Sequence, residues 1–195
     1  MHFSRRLIVR SIALSSLSLG LIAATVVSPW ALAALKTDPA KSKITIVFKQ
    51  LNVPVEAKFN KFVAQIDFNS AKPNEAKASV EIDMPSFDLG DPDYNKEVLK
   101  KDWFNGAQFP KATFVASSIK SGTNGMLDVV GKLTIKGKTS DVSFPLSVKK
   151  EGSLQVFEGS LPIKRLTFNI GEGEWKDTAT VADEVIIKFR ILAGQ

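Results

Sequence analysis

The stretch Leu127-Asp128-Val129-Val130-Gly131-Lys132-Leu133-Thr134-Ile135-Lys136-Gly137-Lys138 decides the fold class of this chain. Leu127, Val129, Leu133 and Ile135 alternate with Asp128, Lys132, Thr134 and Lys136. Successive side chains of a strand point to opposite faces, so this period of two predicts a strand with one apolar face. Gly131 falls on that face, where a bend or a close backbone approach is expected. Lys136-Gly137-Lys138 then reads as a short hairpin connection, because Val142, Phe144, Leu146 and Val148 resume the alternation against Ser143, Pro145 and Ser147. Two strands joined so briefly run antiparallel.

The same pattern extends outward in both directions. Ile44, Ile46 and Phe48 share a face in Lys43 to Lys49; Val80, Ile82 and Met84 alternate with Glu81 and Asp83. Val185, Ile187, Phe189 and Ile191 oppose Ile186, Lys188 and Arg190, and further strands are expected near 58–68, 113–118 and 155–163. Ser121-Gly122-Thr123-Asn124-Gly125 supplies another turn. Only 93–101 has a helical reading, with Asp91 as its cap, Pro92 as its start and Val98 and Leu99 as a short apolar edge. No linker or internal repeat interrupts the series. The predicted fold is all-β, with about eight antiparallel strands and one short helix, as a sandwich or a closed barrel. A closed barrel of eight strands encloses an interior that side chains fill or that holds one small ligand. Alternation alone leaves both open.

Residues 1–33 read as a cleaved signal peptide. Arg5, Arg6 and Arg10 form the positive region, 12–27 is largely apolar, and Ala31-Leu32-Ala33 offers a cleavage site, so the mature domain is expected to span 34–195. Ser4-Arg5-Arg6-Leu7-Ile8 also borders on a twin-arginine signal. The expected destination is the periplasm, without a lipid anchor, since no cysteine is present. The whole chain carries 26 Lys and Arg against 20 Asp and Glu; the leader removes three arginines and no acid, leaving +3. That is too little to argue for nucleic acid.

The single histidine, His2, leaves with the leader. Without His or Cys, a Ser-His-Asp triad, a thiolate nucleophile, a haem histidine and a zinc site of the usual kind lack their residues. The acidic run Asp88-Leu89-Gly90-Asp91-Pro92-Asp93 does not have the spacing of an EF-hand loop, and helix capping by Asp91 is its plainer reading. Glu172, Glu174 and Asp177 around Trp175 read as a solvated turn. No cofactor is expected, and an enzyme would be confined to carboxylate or lysine chemistry.

Several local motifs, in order, carry a family resemblance. Asp38-Pro39-Ala40-Lys41-Ser42-Lys43-Ile44 precedes Phe48; Phe59 and Phe62 precede Ile66-Asp67; Ser86-Phe87-Asp88-Leu89-Gly90 precedes Asp102-Trp103-Phe104. Phe109-Pro110-Lys111-Ala112-Thr113-Phe114, the stretch 131–139 and Arg165-Leu166-Thr167-Phe168-Asn169-Ile170-Gly171 follow. Together they resemble the YceI-like proteins over nearly all of the mature chain. Lys41 and Gln50 stand where many relatives carry histidine, and Ala57, Ala64 and Asn169 replace frequent glycines.

The resemblance implies a lipocalin-like barrel that holds a polyisoprenoid, such as a quinone tail; the expected role is non-enzymatic carriage of that lipid, with room for transient membrane contact. The candidate lining is Ile44, Ile46, Phe48, Leu127, Val129, Leu133 and Ile135, against a packed core as the bland reading. Trp103, Phe104 and Phe109 are candidates for the rim. Lys164 and Arg165 are candidates for an anionic head group, against an exposed charged turn. The competing function is a barrel with a filled interior that acts through protein partners under envelope stress.

Overall fold

A computed structural model describes residues 34–194, and the leader features expected in 1–33 lie outside the described residues. The strands are β1 (Ala34–Thr37), β2 (Lys43–Gln50), β3 (Val53–Phe59), β4 (Phe62–Asp67), β5 (Lys77–Asp83) and β6 (Phe87–Asp88). After the helix α1 (Pro92–Glu97) come β7 (Lys111–Ser121), β8 (Leu127–Ile135), β9 (Lys138–Glu151), β10 (Leu154–Lys164) and β11 (Val181–Gly194).

Every pairing is antiparallel, and the pairings close on themselves. β4, β5, β7, β8, β9, β10 and β11 are neighbours in that order, and β1 joins β11 to β4. β2 continues β1 along the same edge of β11, β3 continues β4 beside β2, and β6 continues β5 beside β3. The result is an eight-stave barrel in which three staves are broken in two. This is the expected class, an all-β antiparallel lipocalin-like barrel with one short helix.

Each break is pinned by a short polar side chain. At the first, the Asp38 carboxylate accepts from the amides of Ala40 and Lys41, while Ser42 Oγ donates to the Asp38 carbonyl at 2.6 Å and accepts from Leu192 N–H at 2.9 Å. At the other two, Ser86 Oγ donates to the Asp83 carbonyl at 2.6 Å and accepts from Lys61 N–H at 3.0 Å. The strand expected over 58–68 is therefore two strands that part at Asn60 and Lys61.

Two turns show why some strands were visible in the sequence and others were not. Lys136 and Gly137 have φ of 48° and 71°, the left-handed pair that matches the twist of a two-residue hairpin. Leu51 and Asn52 do the same between β2 and β3, at 47° and 66°, with no glycine to announce it. Pro54 further disguises β3; it is tolerated because β3 there has only β2 beside it.

β9 and β10 pair only from Leu146 and Gly159 up to their hairpin. Pro145 and Pro162, which offer no backbone N–H, lie in the stretches below that point. A 3-10 turn, Arg165–Phe168, follows β10 and packs back against β9, with Phe168 fully buried.

Candidate ligand-binding site

The inward residues of the staves do not meet in the middle. They surround two chambers with volumes of about 150 Å³ and 110 Å³. A single water needs roughly 10–15 Å³ on the same measure, so each holds several water-sized groups. Ile82, Leu133 and Ile187 line both chambers and form a shared waist.

The far chamber is almost purely the product of strand alternation. Ile44, Val129, Leu146, Leu161 and Ile191 line it, with Phe68, Phe157 and the segment from Ala76 to Ala78 at its outer end. Phe114, Phe144 and Phe189 form an aromatic band on its wall, with ring centroids 5.5 Å apart at each step. Two glycines make room for that band. A Cβ on Gly131 would lie 2.5 Å from the Phe114 ring, and one on Gly159 would lie 2.5 Å from Phe189. The expected close approach at Gly131 is thus to an aromatic side chain and to the Val115 carbonyl.

The helix-side chamber is built from breaks and loops as much as from strands. Ile46, Phe48, Ile135 and Ile163 come from staves, but Met84 and Phe87 flank the break before β6. Tyr94 and Glu97 come from α1, Val98, Trp103 and Phe104 from its C-cap and the turns after it, and Ile170 and Trp175 from the loop that follows β10. Phe59, Phe87 and Phe104 form one aromatic cluster, with centroids 5.6–6.4 Å apart. Gln50, Tyr94, Glu97 and Arg165 line this chamber, whereas the charged residues of the other, Asp67 and Lys77, stand with Phe68 and Ala76 at its outer end.

Of the residues singled out from the sequence, Ile44 and Val129 line the far chamber, Leu133 both, and Ile46, Phe48, Ile135, Trp103 and Phe104 the helix-side chamber. Leu127 and Phe109 line neither. Leu127 is half-buried near the start of the β8 stave and packs on the core. Phe109 instead covers the β8–β9 turn, where a Cβ on Gly137 would lie 2.8 Å from its ring. Ile82, Phe114 and Ile187, not singled out as lining, follow the same alternation. Met84 ended the alternating series of Val80 and Ile82, whereas Phe87, Leu89 and Ile170 carried no such signal. Gln50 reaches a chamber, whereas Lys41 is exposed and pairs with Asp38. Asn169 sits at φ 56°, a left-handed geometry that asparagine tolerates.

Arg165 overturns both readings given to it. It is neither an exposed turn residue nor a donor free for a head group; it is 1% exposed, and its donors are all engaged. Nε donates to the Ala182 carbonyl, Nη1 to Ile170 and Gly171, and Nη2 to Trp175 and Val181, at 2.7–3.3 Å. A guanidinium has five N–H groups, so the side chain is saturated. Burial pushes its pKa down, and the Asp183 carboxylate opposes that shift. Its guanidinium carbon lies 5.8 Å from the centre of the Trp103 ring. Arg165 therefore fastens the loop wall of the chamber to β11. A second tie is Lys136, whose Nζ donates to the Asn169 carbonyl at 2.7 Å and to Glu172 at 2.8 Å. That bond, with the charge of Lys136, holds the Glu172 carboxyl below its usual range.

The acidic run has structural work of its own. Asp91 caps α1 by accepting from Asp93 and Tyr94 N–H, as its position suggested. Asp88 accepts from Gly90 N–H at 2.9 Å and from the Asn95 side chain at 3.2 Å, and pairs with Lys58.

Comparison with known proteins agrees with this architecture. A family model described as the YceI-like domain matches residues 35–193. The crystal structure of BcnA from Burkholderia cenocepacia is similar at a TM-score of 0.79 and 52% sequence identity, over 81% of this chain and 99% of that one. A UPF0312 protein of Shewanella oneidensis is 31% identical over 137 residues, 68% of this chain and 72% of its own length. A polyisoprenoid binding domain from Saccharophagus degradans shares the fold at a TM-score of 0.65 and 17% identity, over 83% of this chain and 98% of that domain.

Proposed function

The chain belongs to the YceI-like family, and from that premise we propose that it binds and carries a long apolar lipid, a polyisoprenoid or the tail of a quinone, inside its barrel. One observation carries the reading: two apolar chambers meet at the waist formed by Ile82, Leu133 and Ile187 and so offer room along the barrel for one extended chain. The ligand class named for the Saccharophagus degradans domain points the same way. Apolar burial is worth roughly 0.8 kcal/mol per CH₂, or about 4 per five-carbon unit, before the costs of ordering the chain. Such a ligand needs few hydrogen bonds, and the walls offer few.

The proposed role is stoichiometric binding with no bond made or broken. Two chambers that side chains leave unfilled count against a filled barrel that acts only through partners. The leader motif supports export, so the proposed site of action is the periplasm, with brief membrane contact to load and release the lipid. Protein purified without detergent from the native host should yield a long isoprenoid on organic extraction and mass spectrometry, and its intact mass should begin at Ala34. An extract free of stoichiometric lipid would refute the carrier reading, and retention of Met1 would refute the export reading.

A further inference from the structure

We propose that the indole N–H of Trp103 is the polar anchor of the site, and that the bound lipid carries a hydrogen-bond-accepting oxygen at the end lodged in the helix-side chamber. The proposal rests on the reading of the barrel as a lipid carrier and gives that lipid a direction and a head-group chemistry.

Trp103 Nε1 is buried and has no hydrogen-bond partner, the one such side-chain atom among the described residues. An indole N–H only donates, and a buried tryptophan ordinarily finds an acceptor, because an unmet buried donor costs free energy. The protein has spent the neighbouring acceptors elsewhere. The carbonyls of Ile170, Gly171 and Trp175 are taken by Arg165, and the Asp102 carbonyl accepts from both Gly171 and Glu172 N–H. Trp103 nevertheless lines the chamber, with the Trp175 ring 5.3 Å from its own. An oxygen brought by the ligand would complete the one bond the fold leaves unmade.

The charge beside it favours the same atom. Arg165 has no ion pair within 4 Å among the described residues and lies against the Trp103 ring, so a positive field, moderated by Asp183, reaches this wall. An electronegative acceptor such as a carbonyl is stabilised there, whereas an ammonium or another donor is not. The far chamber holds no orphaned polar atom, so the hydrocarbon tail belongs there. Nε1 is buried behind the chamber wall, so the proposed bond forms with a local repacking of Trp103 and Trp175.

Pristane, a branched isoprenoid hydrocarbon, and phytone, in which a carbonyl oxygen replaces one of its methyl groups, isolate this bond. The natural protein should bind phytone about tenfold tighter than pristane, roughly what one good hydrogen bond supplies. Trp103→Phe keeps an aromatic ring and removes the N–H; the ratio of phytone to pristane affinity should fall to about one, whatever the change in wall shape does to both. On the unsubstituted protein, the Trp103 indole proton should move downfield in NMR with phytone and stay in place with pristane, a readout that needs no variant to fold. Equal affinity for the two lipids, or an equal loss of both in Trp103→Phe, would overturn the anchor and leave the carrier intact. Binding of neither would sink both.

Discussion

The two chambers of the barrel differ in how the chain builds them. The far chamber is a strand product: its wall follows the alternation of β8, β9, β10 and β11, a bulge in β7 between Ala116 and Ser118 lets both Phe114 and Ile119 join it, and two glycines let three phenylalanines pack across it. The helix-side chamber exists because staves are broken. The gaps after β3 and β5, the turns around α1 and the loop after β10 bring in Met84, Phe87, Trp103, Ile170 and Trp175, and polar atoms come with them. Regular structure yields an apolar sleeve, and irregular structure yields the end where a head group can be told from a tail.

The largest effect expected from this contrast is at Arg165. Arg165→Met should cost about 3 kcal/mol or more in urea denaturation, because each buried carbonyl left without a donor costs about 1–3. A loss under about 1 kcal/mol would mean that the loop wall does not depend on that side chain.

Val129→Phe should act on the far chamber alone. Affinity for long isoprenoids should fall at least tenfold and that for short ones little, with stability changed by less than about 1 kcal/mol. In a solid core the same change overpacks and costs about 1–3 kcal/mol. The outward, exposed Lys132→Phe is the control and should leave binding unchanged. A destabilised Val129→Phe protein that still takes a full-length lipid would make the far chamber core and break the comparison.

A smaller effect is expected on acidification of the helix side. Hydrogen bonds from Gly90 N–H, Asn95 and Asn60 hold the Asp88 carboxyl at about 2, against an ordinary 3.8. A carboxyl whose pKa is depressed by folding stabilises the fold above its unfolded pKa and loses that contribution as pH falls through the folded one. Thermal melts should therefore decline between about pH 4 and 2, and Asp88→Asn should flatten part of that limb. An unchanged limb would show that other carboxylates control it.

The smallest effect is the expected absence of one. No described residue is a histidine, so affinity for a neutral isoprenoid should vary less than about twofold between pH 5 and 8. A step near pH 6.5 would assign a gating role to a perturbed group at the helix-side mouth.

What could be read from the sequence divides along the same line. Alternation from Leu127 to Ile135 placed Val129, Leu133 and Ile135 on chamber walls, because a strand's period is fixed by backbone geometry alone. Leu127, on the same stripe, lies off both walls, since a shared face does not say how far along the barrel a cavity extends. β3 was concealed by Pro54 and by the left-handed Leu51, whose turn depends on pairing with distant strands. The burial of Arg165 was illegible for a related reason: its five acceptors are backbone carbonyls, which every residue type presents. No side-chain pattern announces them.

The central claim is that the chambers act as one continuous site for one chain. Isoprenoid alcohols of increasing length, from about ten to about forty carbons, should be titrated against delipidated protein. At roughly 4 kcal/mol of nominal burial per five-carbon unit, much of it offset by ordering, affinity should rise at least tenfold per unit. The rise should continue past the length that fills the helix-side chamber and then level off, and Val129→Phe should bring the plateau to a shorter chain. An affinity that levels off at the same short length in both proteins would contradict the account, because the waist at Ile82, Leu133 and Ile187 would then be a closed floor.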